Sequence, residues 1–95
     1  MPAADVVPAF ASGVRFRRLD DARGVLLIPE GVVNLNPTAS AVVELVDGRR
    51  TSTEICALLL RTYAAPATTL AADVGELLER LREAGWVFFS PGAGP

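Results

Sequence analysis

The sequence predicts an α+β domain of winged-helix-like type, a three-stranded antiparallel meander followed by a three-helix bundle. Two observations carry this. Apolar residues recur with a period of 2 up to Leu35 and with a period of about 3.6 beyond it. The connections between the resulting segments are short, which makes consecutive elements packing neighbours.

Val14-Arg15-Phe16-Arg17 alternates apolar and charged, as a half-buried strand does. Arg18 to Gly24 reads as a loop whose adjacent acids, Asp20 and Asp21, hydrogen-bond nearby amides rather than forming a catalytic pair. Val25 to Ile28 is a second strand, and Pro29-Glu30-Gly31 turns it into a third, Val32 to Leu35. Proline presets φ at the second turn position, and glycine serves a three-residue hairpin loop with a bulge.

Asn36-Pro37 starts a helix, with asparagine as cap and proline at the first helical position. Ala39, Val42, Val43 and Val46 form its inner stripe, and Gly48 closes it. Thr51 and Glu54 frame a capping box for a second helix carrying Ile55, Leu58 and Leu59, which ends at Tyr63. A third helix begins near Thr68 or Thr69, carries Leu70, Val74, Leu77, Leu78 and Leu81, and stops at Gly85, with Trp86 folding back on Leu81. Gly75 costs this helix about 1 kcal/mol relative to alanine; it is either a tolerated surface glycine or a point of close approach.

Three segments organise the chain. Met1 to Gly13 is expected to be a flexible N-terminal arm, with docking on its own domain or on a second copy as the alternative. Val14 to Phe89 is a single domain, and Ser90 to Pro95 a disordered tail. Trp86 and Val87 complete the core, while Phe88 and Phe89 form either a short terminal strand or an apolar patch for self-association.

Composition narrows the function classes. The chain has 95 residues, 51% of them hydrophobic, which is enough for one modest core. It holds no histidine, the commonest general base and metal ligand, so no catalytic residues, metal or cofactor are assigned. All nine basic residues are arginine, against eleven acids, for a net charge of -2. That balance argues against an electrostatic footprint for nucleic acid or an anionic membrane. Apolar runs fall short of the roughly 20 residues of a membrane span, and no signal peptide is recognisable, so the expected location is the cytoplasm. The lone Cys56 lies in an apolar helical pattern and reads as a small buried hydrophobe.

A winged-helix DNA-binding protein is the alternative. A recognition helix needs donors for base edges and phosphates, yet the outer face of the third helix is mainly acidic. The third strand offers more. In a meander it lies at the sheet edge, and Val32-Val33-Asn34-Leu35 has neither the lysine, the proline nor the bulge that usually blunts an edge. An extended peptide could add there, its alternate side chains entering a groove beside the third helix. A second copy could use the same edge, giving a homodimer that competes with peptide.

Gly13 to Arg17, the run from Val25 through PEGVVNLN to Asn36, Thr38-Ala39, the DGRRT segment Asp47 to Thr51, Glu54-Ile55, Asp73-Val74 and Gly85-Trp86 closely resemble the PqqD family. The resemblance spans Gly13 to Val87. It implies a peptide chaperone of pyrroloquinoline quinone biosynthesis, which captures the precursor peptide PqqA and delivers it to PqqE, a radical S-adenosylmethionine enzyme. It further implies backbone pairing of the peptide at Val32, Val33, Asn34 and Leu35, with Asp73, Leu77, Arg80 and Leu81 lining the helical wall. Leu77 and Leu81 also belong to the core stripe.

Overall fold

The computed structural model describes residues 5–92. The expectations for residues 1–4 of the arm and 93–95 of the tail lie outside the described residues. Eight elements follow in order: β1 Val6–Phe10, β2 Arg15–Arg18, β3 Gly24–Ile28, β4 Gly31–Asn34, α1 Pro37–Glu44, α2 Ser52–Leu60, α3 Ala67–Glu83 and β5 Val87–Pro91. The α+β class holds, with antiparallel strands and three helices.

Strands β2, β3 and β4 form one sheet in that order, and β1 pairs with β5 in a second. The second sheet corrects two expectations. Val6–Phe10 is a strand rather than a flexible arm, and Ser90 and Pro91 belong to β5 rather than to a disordered tail. The first and last strands satisfy each other, Val7 opposite Ser90 and Phe10 opposite Val87. Asp5 fixes the corner: its Oδ1 accepts from Ser52 Oγ at 2.8 Å and the Thr53 amide at 3.0 Å, and its carbonyl accepts from the Gly92 amide.

The hairpin is tighter than expected. Ile28 pairs with Gly31, which leaves a two-residue loop, Pro29-Glu30, and no bulge. Gly31 adopts φ +149°, a region that side-chain-bearing residues rarely enter. Cross-strand partners share a face. Leu26, opposite both Phe16 and Val33, therefore marks the inner face, and it is fully buried. Gly24 admits the Phe16 ring, which a Cβ there would meet at 2.5 Å.

Polar contacts lock the sheet to α1. Buried Ser40 accepts from the Gly24 amide at 2.8 Å and donates to the Leu35 carbonyl at 3.4 Å. Arg18 grips Glu44 with two parallel bonds, Nε to Oε2 at 3.0 Å and Nη2 to Oε1 at 2.7 Å. The Arg18 contact holds the Glu44 carboxyl below its ordinary value. Asp20 accepts from the Ala22 and Arg23 amides at 2.8 Å each, the turn-forming role assigned from sequence.

The helix ends follow the local signals, with two shifts. Asn36 caps α1 by accepting from the Ala39 amide at 2.7 Å, and the Thr51–Glu54 capping box on α2 is complete. However, α1 ends at Glu44, and Leu45 and Val46 tighten into i−3 bonds before Gly48 turns the chain. Helix α3 starts at Ala67, without a side-chain cap. It ends in a Schellman arrangement, Gly85 donating to Arg82 and Trp86 to Leu81.

The core comprises two contiguous clusters. Val14, Leu26, Leu35, Ala39, Val43, Leu81 and Val87 join the three-stranded sheet to α1 and α3. Val42, Ile55, Leu59, Leu70, Val74 and Leu78 are central to the helical cluster, and Leu77 borders both.

Candidate functional site

Among the described residues, strand β4 has β3 on one side and no strand on the other. Which of its backbone groups face the open side follows from the ladder. Bonded and non-bonded pairs alternate between antiparallel strands. The Leu35 amide donates to the Gly24 carbonyl at 3.2 Å, one step beyond the Val25–Asn34 pair. The bonded pairs are thus Gly24–Leu35 and Leu26–Val33, and the non-bonded ones Val25–Asn34 and Leu27–Val32. The N–H and C=O groups of Val32 and Asn34 therefore point to the open edge. Those of Val33 point to β3, while Leu35 donates to Gly24 and accepts from Ser40. Of the four positions expected to pair with a peptide, two, Val32 and Asn34, turn their backbone groups to a side with no partner among the described residues.

The side chains divide the other way. Val33 is half-buried and packs on the sheet-side cluster, and Leu35 is inside it. Val32 is 59% exposed, and Asn34 is exposed beside it. A strand added at this edge would lay alternate side chains next to Val33 on the inner face and next to Val32 and Asn34 on the outer face.

Helix α3 reaches the same apolar cluster as β4 through Leu77 and Leu81. Positions 73, 77, 80, 81 and 84 share one flank by helical spacing. Leu77 is half-buried and Leu81 is core, both on the cluster that Val33 joins. Asp73 and Arg80 are exposed on that flank, and Arg80 Nη2 meets Glu76 Oε1 at 2.9 Å. The structure thus unites Val33, Leu77 and Leu81 in one apolar cluster, while Asp73 and Arg80 are exposed and outside it. Trp86 and Ile28, half-buried against the same cluster, were not singled out as site residues. The signal for Trp86 was present in its place just past Gly85, where the Schellman turn returns it toward Leu81.

The opposite flank of α3 borders a separate concavity of about 670 Å³ between α2, α3 and the β1–β5 sheet, lined by Val6, Cys56, Leu60, Gly75 and Phe89 among others. Cys56 is half-buried there, and burial, followed by the nearby Asp5 charge, pushes its thiol pKa up. The thiol is inert chemistry in such surroundings. Arg82 pairs with Glu79 and lies 5.8 Å from the centroid of the Phe89 ring. With Arg80 and Arg82 both paired to acids, α3 presents no free basic side chain. Among the described residues no group of histidine, cysteine and acids is placed to hold a metal, and no helix is long and apolar enough to cross a membrane.

Residues 23–87 match the family described as coenzyme PQQ synthesis protein D (PqqD). The chain belongs to the PqqD family. Among PqqD relatives, the PqqA binding protein of Methylococcus capsulatus is 43% identical over 68% of each chain. That of Kluyvera intermedia is 38% identical over 87% of this chain and 90% of its own. The bifunctional coenzyme PQQ synthesis protein C/D of Methylorubrum extorquens is 40% identical over 81% of this chain, which matches 21% of that longer protein. The solution structure of the PqqD truncation of Methylobacterium extorquens PqqCD is described as a functional, stand-alone recognition element for ribosomally synthesized, post-translationally modified peptides. It superposes with a TM-score of 0.69 at 35% identity, covering 87% of this chain and 88% of its own. TbiB1 in complex with the TbiA(β) leader peptide shares the fold at TM-score 0.71 and 22% identity, over 83% of this chain and 93% of that one.

Proposed function

We propose that this chain is a non-catalytic, cytoplasmic peptide chaperone that binds the precursor peptide PqqA by strand addition at β4 and presents it to PqqE in pyrroloquinoline quinone biosynthesis. The observation that carries the reading is the unblunted β4 edge, with the backbone of Val32 and Asn34 facing outward beside an apolar cluster shared with α3. Relatives named PqqA binding proteins, aligned over most of their length, support the choice of peptide. Val33 and Leu77 receive the inward-facing side chains of the peptide. Leu81 forms the floor, and Asp73 and Arg80 set the polarity of the rim. Pairing of two copies through β4 would compete with the peptide for the same hydrogen bonds.

The test is a proline scan of the edge. Val32→Pro or Asn34→Pro removes an outward amide and should weaken PqqA binding at least about tenfold, a loss of roughly 1.4 kcal/mol, while the fold is retained. Val33→Pro removes an inward ladder bond and should lower stability instead. In a titration of labelled chain, amide shifts should centre on Val32 to Asn34. Full affinity in both edge variants, or shifts confined to the α2–α3 concavity, would remove this site.

A further inference from the structure

The sheet has a second side. An antiparallel sheet with one solvated face normally alternates apolar in and polar out, yet β3 reads Gly24-Val25-Leu26-Leu27-Ile28, apolar on both faces. Leu26 and Ile28 pack into the core. Val25 and Leu27 project the other way, with Val32 beside Leu27, and none of the three belongs to either core cluster: Val25 is buried, Leu27 half-buried and Val32 59% exposed, so the accessible part of the stripe is Leu27 and Val32. Their neighbours across β2 are Arg17 and Arg15, both exposed. Neither arginine has an ion pair or side-chain hydrogen bond among the described residues; the same holds for Arg23, Arg49 and Arg61, while Arg18, Arg50, Arg80 and Arg82 each pair with an acid, but only Arg15 and Arg17 stand on this strand face, beside Leu27 and Val25. On a molecule of net charge -2, this face is a local excess of positive charge around an apolar stripe.

We propose that this outer face is the docking surface for an acidic protein partner, one that sets carboxylates around an apolar patch. Charge complementarity selects the sign. The apolar centre selects protein over nucleic acid, whose phosphates call for a wider basic footprint. Continuity supplies the identity: Val32 and Asn34 belong to this face by side chain and to the open edge by backbone, so a partner seated here touches the border of the bound peptide. The partner is therefore the enzyme that receives the peptide, an assignment that rests on the proposed function.

Calorimetric titration of the full chain with PqqE and, separately, with synthetic PqqA peptide tests the two layers independently. The double variant Arg15→Glu/Arg17→Glu should lose at least about tenfold in affinity for PqqE and keep its affinity for the peptide. Arg15→Lys/Arg17→Lys should restore most enzyme binding, and salt should weaken the unmodified pair more than the Glu variant. Unchanged PqqE affinity in a folded Glu variant overturns the docking surface even if peptide binds. Failure of the unmodified chain to bind peptide overturns the proposed function and the partner's identity with it. Salt-sensitive binding of duplex DNA, lost in the Glu variant while PqqE affinity stays constant, overturns the proposal in favour of nucleic acid.

Discussion

Among the described residues Ser40 is the only polar residue with a buried side chain, and its hydroxyl joins α1 to the start of β3 and to the end of β4. It satisfies the Gly24 amide, which would otherwise pair with the Leu35 carbonyl across the ladder. Replacing it with alanine leaves a buried donor without a partner, a loss of about 1–3 kcal/mol. Ser40→Ala should therefore lower the urea midpoint by that amount, and a neutral result would mean that the Gly24 amide finds another acceptor. No local pattern marks Ser40, since its neighbours Ala39, Val42 and Val43 define the helical stripe and a serine at that position reads as incidental. Asn36, Thr51 and Glu54 were legible because a cap bonds within three residues of itself. Ser40 was not, because the amide it serves lies sixteen residues away. Gly31 falls between these cases. Its presence in the turn was readable, but its φ of +149° and the two-residue loop depend on the Ile28–Gly31 pairing.

At the level of elements, β4 and α3 each have one side turned to the proposed peptide site and one turned from it. Sequence located the edge strand through its missing guards, yet it could not say which amides face outward, because alternation has a phase only once register with β3 is known. That phase moves the free groups to Val32 and Asn34 and leaves Leu35 in the core. On α3, Gly75 and Asp73 lie about 200° apart by the 3.6-residue period, so Gly75 faces the concavity with α2 rather than β4. An added Cβ there meets nothing within 4 Å among the described residues, which gives the close-approach reading of this glycine no support from them. Gly75→Ala should stabilise the domain by about 1 kcal/mol through helix propensity, raise the thermal midpoint and leave PqqA affinity unchanged. A fall in stability would show that α2 closes on α3 more tightly than this structure has it.

For the whole molecule, the decisive contact is the one joining its first strand to its last. The β1–β5 pairing unites segments some eighty positions apart, and Pro8 interrupts what would otherwise read as an apolar strand, which is why local periodicity missed it. Carboxylates hold this closure and its neighbours: Asp5 on the α2 terminus, Glu44 on Arg18, and Asp47 on the Arg49 and Arg50 amides. Partial burial raises the Asp5 pKa, but hydrogen bonds from Ser52, Thr53 and Thr51 outweigh it, and the net value is lowered. Glu44 is lowered chiefly by the Arg18 hydrogen bond, and Asp47 by the Arg50 amide. A carboxyl whose folded pKa lies below its unfolded one adds stability that is full above the unfolded value and is lost as pH falls through the folded one. Stability should thus hold down to the ordinary glutamate value of 4.5 and decline below it, through the aspartate value of 3.8 and beyond. Asp5→Asn keeps an oxygen acceptor for Ser52 and Thr53 but cannot titrate, so its urea midpoint should fall less steeply over that acid range. The β1 amides, followed by hydrogen exchange, should lose protection at lower pH in Asp5→Asn than in the unmodified chain. Identical acid limbs for the two proteins would remove Asp5 from the closure and leave Glu44 and Asp47 to account for the pH dependence.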